Sequence, residues 1–268
     1  MKVISAFRFR SESIMSIELH SNETVNVVND NITLISRKDG LTFGTDALML
    51  SAYINAKNKK CVELGSGTGI MSLLLLQREK ASHVYAYEIQ RDFALLTQRN
   101  ADLNGFSDRI KVICDDIRGA SAADTDGEAD IVFTNPPYMK NGAGLSNATN
   151  EKNIARREVF GEIGDFCNAA KRLLKYGGKF YCVYRPDRLV DLICAMRQSN
   201  IEPKKITFIH PDPDTPPSLV LVMGTHGAGK ELIITRPLCI YKDGSHDDMT
   251  DDTKYIYENG IFDQKRYK

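Results

Sequence analysis

No two cysteines in this chain form a CxxC pair, no two histidines form an HxxxH pair, and neither sign of charge is in excess. The six cysteines stand at 61, 114, 167, 182, 194 and 239, with no metal-ligand spacing among them. They are read as reduced core residues, and no structural metal is expected. Lys plus Arg and Asp plus Glu each number 35, so bulk charge gives no sign of a nucleic-acid partner, although a local basic face would suffice for one. No apolar stretch approaches the roughly 18 residues that span a bilayer. The opening MKVISAFRFRSESIM lacks the long apolar centre of a secretory signal. Internal repeats and low-complexity tracts are absent too. A soluble cytoplasmic protein, with no membrane partner and expected to be a monomer, is what remains.

What is present is ordinary in bulk and organised in detail. With 268 residues, 42% hydrophobic and 26% charged, the chain can bury a sizeable core, and one large domain with small additions is expected. Residues 1–21 read as a loosely ordered extension in which Met15 is a second plausible start. TVNVVNDNITLISRKDG reads as two short strands around a polar turn, closed by Gly40. LTFGTDALMLSAYINA then reads as a helix capped by Thr45 or Asp46. Residues 22–58 thus form a hairpin and helix ahead of the main domain.

From residue 59 to 242 strands and helices alternate. KKCVEL, HVYAYEI, IKVICDDI, ADIVFTN and KFYCVYR are strand-like. The helices between them include DFALLTQRNADLNG, with Gly105 as its C-terminal cap, and IGDFCNAAKRLLKYGG, ending at Gly177. A helix started by Pro186 and Asp187 follows. This order predicts an α/β fold: a mostly parallel seven-stranded sheet with helices on both faces. KKITFIH, SLVLVMG and ELIITRPL, joined only by polar turns, suit antiparallel neighbours at one edge. The tail 243–268 opens with an acidic cluster, read as a solvated loop and helix start.

The candidate chemistry sits at the strand ends. CVELGSGTGIM puts Gly65, Gly67 and Gly69 between the first strand of the alternation and its helix, where glycine allows a tight turn and close approach of a ligand. That spacing is not the dinucleotide pattern GxGxxG and is weak by itself. The second strand ends at Glu88, about 20 residues on, where a carboxylate can accept both hydroxyls of a ribose. The third ends at Asp115 and Asp116, and the fourth at Asn135 in NPPY. Ligands of open parallel sheets bind outside the carboxyl ends of the strands, so these groups converge on one mouth.

ELGSGTG, YEI, CDDI and NPPY, in this order and spacing, resemble the class I S-adenosylmethionine (SAM) methyltransferases of the NPPY type, with a Rossmann-like fold. LTFGTDALML, IARREVFGEIGDFCNAAKRLL, YCVYRPDRLVDL and the stretch from IEPKK to PLCIY are similar to the bacterial tRNA1(Val) (adenine-N6)-methyltransferases, which act beside the anticodon. The likeness covers residues 22–242. It implies that Gly65, Gly67 and Gly69 carry the methionine portion of SAM, Glu88 the ribose and Asp116 the adenine amine. CDDI departs from the family's usual glycine before the aspartate, which leaves Asp115 as the other choice. Phe43, Gly44 and Thr45 match a segment that closes over the cofactor. Glu63, Ser66, Ile89, Ile117 and Asn135 complete the implied cofactor set.

The resemblance also explains the prolyl corner. An adenine amine is planar and poorly nucleophilic, and two acceptors, the Asn135 side-chain carbonyl and the Pro136 backbone carbonyl, would draw its hydrogens out of plane. Pro136 and Pro137 hold φ near −65°. Tyr138 would stack on the flipped base, worth roughly 1–3 kcal/mol. Lys140, Arg156, Arg157 and Arg185, with Lys152 and Arg188 nearby, are candidate contacts to RNA phosphates, against the plainer reading of solvated faces. Protein-glutamine methylation uses the same corner, and methylation of DNA or other RNA amines, or a module that binds SAM or RNA without turnover, stay open. GTHGAGKE, close to a phosphate loop, carries Glu231 in place of Ser/Thr and reads as a turn.

Overall fold

The computed structural model describes residues 2–4, 17–38, 44–137 and 161–268. Ahead of the alternation, β1 (Lys2–Ile4) pairs antiparallel with β2 (Ile17–Leu19), and β3 (Glu23–Asn29) with β4 (Ile32–Arg37). Then come α1 (Thr45–Tyr53), β5 (Lys59–Leu64), α2 (Ile70–Gln77), β6 (Ala81–Tyr87), α3 (Arg91–Leu103), β7 (Ile110–Ile113) and β8 (Ala129–Thr134). The described chain resumes with α4 (Ile163–Leu173), β9 (Leu174–Tyr184), α5 (Leu189–Gln198), β10 (Ile201–His210) and β11 (Leu219–His226). β12 (Ile233–Ile234), β13 (Leu238–Cys239) and α6 (Asp251–Asn259) close it.

The large sheet runs β12-β10-β11-β9-β8-β5-β6-β7, with β13 also on β10. β5 to β9 pair in parallel, and β11 runs antiparallel to both β9 and β10. Seven long strands are the ones the alternation predicts; β12 and β13 are two-residue additions. ELIITRPL does reverse direction relative to β11, but β11 has both edges occupied, so β12 settles on the free edge of β10, where it is parallel.

Period-two alternation sends neighbouring residues to opposite faces. Cys61, Ile131, Phe133 and Tyr181 pack with α1, α2 and the C-terminal residues Ile256, Phe262 and Tyr267. Val62, Leu64, Val132, Phe180 and Cys182 pack with α4 and α5. Both faces are therefore covered, as parallel sheets require. Three of the cysteines, Cys61, Cys167 and Cys182, are core residues as expected, whereas Cys114 and Cys194 are exposed.

Two boundaries differ from the expectation. α4 ends at Leu173 rather than Gly177, because β8 recruits the following residues directly: Ala129 pairs with Leu174. The N-cap of α1 is Gly44, which has no side chain to cap with, and Asp46 instead accepts from Ala47 N within the first turn.

Two side-chain amides on α3 help to fix the N-terminal hairpin to the sheet domain, beside the Arg99–Glu23 ion pair. Asn100 Oδ1 accepts from Ile35 N (2.7 Å) and its Nδ2 donates to Ile35 O (3.0 Å); Asn104 does the same with Thr33 N (3.0 Å) and O (2.8 Å). Four residues of helix advance about 6 Å, and two residues of strand about 6.6 Å. The two amides on α3 therefore match the edge of β4 as another strand would.

Candidate active site

β5 and β8 lie side by side while their successors run outward in opposite directions, so the crevice beyond their carboxyl ends is the topological switch point of the sheet. A cavity of about 1350 Å³ opens there. Thr134 Oγ1 donates to Leu64 O (2.8 Å), joining the two strand ends beneath it.

The glycine loop forms one wall. Gly65 N and Ser66 N both donate to Tyr87 O at 2.9 Å, which ties the loop to the end of β6. Thr97 on α3 bonds Ser66 Oγ (3.0 Å) and donates to Gly67 O (2.9 Å), while Asn100 Nδ2 donates to Thr68 O (2.9 Å). Gly65, Ser66, Gly67 and Thr68 line the cavity. Gly69 does not: it caps α2 at φ +80°, and a Cβ there would stand 2.9 Å from Thr97 Cγ2, so this glycine serves helix packing.

Acidic groups converge as the strand ends predict. Glu88 is buried, with Gly67 N donating to its Oε2 and Gln90 N to its Oε1, each at 2.9 Å. Asp116 lines the cavity beside Ile89 and Ile117, whereas Asp115 does not. The Arg118 guanidinium donates to Asp116 through Nε (2.8 Å) and Nη2 (2.5 Å) and holds its carboxyl below the usual range. Glu63 is fully buried on the α2 side of β5. Ser72 Oγ donates to its Oε2, Oε1 has no hydrogen-bond partner among the described residues, and burial pushes the carboxyl up to about 8.

The fourth strand ends in Asn135, whose Nδ2 donates to Asp46 Oδ2 (2.9 Å) across the cavity mouth; Pro136 and Pro137 stand beside it on the same wall. Gly44 and Asp46 line the cavity beside Asn135, whereas Thr45 does not. Arg185 reaches the rim, where Asp187 pairs with it bidentately through Nε (2.9 Å) and Nη2 (2.7 Å). Arg188 lies outside the lining and pairs with Asp191 (2.6 Å). Phe43, Tyr138, Lys140, Lys152, Arg156 and Arg157 lie outside the described residues.

Sequence reasoning missed several wall residues. From sequence Asp46 reads only as a helix cap, although its place beside Gly44 is a usable signal. Phe93, Phe166, Pro216 and Pro217 add flat apolar surface that no motif marks. GTHGAGKE covers the end of β11 and the turn toward β12, with no helix after it.

A doubly wound sheet with a glycine loop, acidic strand ends and an Asn-Pro-Pro corner at one switch point defines a methyltransferase-type crevice. The family model for the methyltransferase small domain matches residues 35–190, and the chain belongs to that family. A tRNA1(Val) (adenine(37)-N6)-methyltransferase of Parabacteroides distasonis is 27% identical over 186 residues, 69% of this chain and 77% of that protein. Its namesake in Histophilus somni is 31% identical over 142 residues, 52% of this chain and 59% of the relative. Among solved structures, a predicted O-methyltransferase of Agrobacterium tumefaciens superposes with a TM-score of 0.65 at 24% identity, covering 82% of this chain and 98% of that one. That likeness establishes the shared fold.

Proposed function

We propose that this protein methylates the N6 amine of adenine 37 in a valine tRNA, with SAM as donor. The tRNA methyltransferases of Parabacteroides distasonis and Histophilus somni, to which it is similar, carry that activity in their names. The observation that carries the reading is the meeting of Asn135 and Pro136 with Gly65, Gly67, Glu88 and Asp116 on one cavity.

The residues present fit the cofactor. Asp46, Glu88 and Asp116 make an acidic lining suited to a cationic ligand, and Glu63 Oε1 beside them is a buried oxygen without a hydrogen-bond partner among the described residues. Ligand pockets commonly measure about 300–1,000 Å³, so a cavity of about 1350 Å³ has room for a flipped nucleoside as well. Bound SAM supplies an electrophilic methyl on a sulfonium. Glu88 keeps further lone pairs for ribose hydroxyls, since a carboxylate accepts at about four positions and two are used. Asp116 stands at the end of the third strand for the adenine amine of the cofactor.

On the substrate side, the Asn135 side-chain carbonyl and the Pro136 backbone carbonyl accept the two amine hydrogens. This localises the nitrogen lone pair and aims it at the methyl. With SAM bound, the methyl group would pass to this nitrogen as its bond to sulfur broke, and one amine proton would leave to solvent, so no strong base is needed. Positioning of this kind recovers about 7–11 kcal/mol of barrier. Tyr138 is proposed to stack on the base, and Lys140, Arg156, Arg157 and Arg185 to meet phosphates. An acidic cavity repels the RNA backbone, which keeps phosphates at the rim. The whole reaction belongs in the cytoplasm, where tRNA is modified.

The test is Asn135→Ala, assayed with labelled SAM and an unmodified valine tRNA transcript. Methyl transfer is expected to vanish while SAM still binds. Turnover near wild type in that variant would overturn the assignment, and methylation of a release factor in place of tRNA would move the protein to the glutamine branch.

A further inference from the structure

We infer that Asp46 is a positioning residue that selects the productive orientation of the Asn135 amide; the inference rests on the proposed role of Asn135 as an acceptor for the substrate amine. Asn135 follows β8 and Asp46 lies in the first turn of α1, 89 positions away, yet Nδ2 of the one donates to Oδ2 of the other at 2.9 Å. Both side chains line the cavity.

An asparagine amide has two ends of opposite polarity, and rotation by 180° exchanges them. A carboxylate only accepts, so the end facing Asp46 is the NH₂ group. With the nitrogen fixed, the carbonyl oxygen on the same carbon is fixed as well. The wrong rotamer would set an NH₂ group against the amine of the substrate, donor facing donor. Asp46 thereby removes the unproductive state before substrate arrives. Accepting a hydrogen bond at the NH₂ end also polarises the amide and makes its oxygen a stronger acceptor, by about 10–30% per bond.

The carboxylate is itself held. Its Oδ1 accepts from Ala47 N at 2.9 Å, at the positive end of α1. Room for it depends on Gly44. That residue has φ −93°, which any residue adopts, so the glycine is not there for its backbone. A Cβ at position 44 would stand 2.5 Å from Asp46 Oδ1 and 3.3 Å from its Cγ. The missing side chain is the space that the carboxylate occupies. Gly44, Asp46 and Asn135 form one assembly, with Gly44 acting through Asp46 and Asp46 through Asn135.

The competing role for Asp46 is a counter-charge to the cationic cofactor, and two substitutions separate the roles. Asp46→Ala removes both acceptors and the charge; Asp46→Asn keeps one carbonyl acceptor for Asn135 in a side chain of the same size, and gives up the charge together with the bond from Ala47 N. Each is assayed for kcat with valine tRNA transcript and for SAM affinity by calorimetry, beside Asn135→Ala. Positioning predicts that Asp46→Ala lowers kcat about a hundredfold, the scale of a 1 Å misplacement, with SAM affinity within about threefold, a small change in binding. It predicts that Asp46→Asn recovers to within about fivefold of wild type, the difference between charged and neutral acceptors. Gly44→Ala, which leaves the carboxylate in the chain but displaces it, is expected to reproduce the kcat loss. Retained SAM binding shows in each case that the variant is folded. Equal loss of SAM affinity in the Ala and Asn variants overturns positioning in favour of counter-charge, and so does wild-type kcat in Asp46→Ala. If Asn135→Ala is inactive while Asp46→Ala turns over normally, positioning alone fails. If Asn135→Ala is active, the acceptor reading and the positioning fail together.

Discussion

Glu63 is the least comfortable residue in the molecule. It is fully buried, one oxygen accepts from Ser72, and the other has no hydrogen-bond partner among the described residues. Desolvation raises its carboxyl from the usual 4.5 to about 8, the Ser72 hydrogen bonds oppose that rise, and the charge of Glu88 adds to it. The folded state therefore keeps a proton between pH 4.5 and about 8 that the unfolded chain has lost. Stability from this group is present at low pH and falls as pH rises through that window. Glu63→Gln, a neutral isostere, is expected to match wild type near the lower end of the window and to exceed it in melting temperature near the upper end. Parallel melting curves across the window would refute the shift. In the wild type a cation bound in the cavity favours the charged carboxylate, so SAM binding at neutral pH should release a proton, and in Glu63→Gln that release should be absent. Binding enthalpies in two buffers of different ionisation heat report it.

At the scale of elements, the glycine loop divides between two duties. Gly67 has φ +57° with no heavy atom within 4 Å of its virtual Cβ, whereas Gly69 has φ +80° and meets Thr97 at 2.9 Å. Left-handed backbone costs an L-residue roughly 1–2 kcal/mol in either place. Gly67→Ala adds a methyl beside the cavity and should weaken SAM binding more than it lowers the melting temperature. Gly69→Ala adds a collision between α2 and α3 and should do the reverse, and equal effects in the two variants would contradict the division. From sequence the two glycines look alike, because spacing places both at the strand-to-helix turn and only α3 packing distinguishes them. Alternating strands and helices, acidic strand ends and NPPY were legible because each is local in the chain. The bond from Asp46 to Asn135, the match of Asn100 and Asn104 to β4, and β12 on the free edge of β10 were not. Each depends on which distant edge or amide is left unpaired after the sheet assembles.

The whole molecule holds α1 from the side away from the cavity. Lys80 Nζ donates to Ser51 O (2.7 Å) and Ala52 O (3.1 Å) at its end. Tyr53, its last residue, meets Tyr181 edge-on at 6.1 Å and Phe262 at 5.4 Å, and Phe262 meets Tyr267 at 5.0 Å. Phe262 is 1% exposed and Tyr267 2%, so these two residues beyond α6 are core, with Phe262 packed against the helix that carries Asp46. Phe262→Ala should cost about 3–5 kcal/mol of stability, measured by urea unfolding. Its second effect depends on where the cavity forms. Leu192→Ala, also fully buried but on the α5 face, should cost about 2–5 kcal/mol and leave α1 in place. Both variants remain folded well below their melting temperatures, and there kcat should fall in Phe262→Ala and hold in Leu192→Ala. Equal kcat values in the two would mean that α1 keeps its place without the C-terminal residues, and that the tail contributes stability alone.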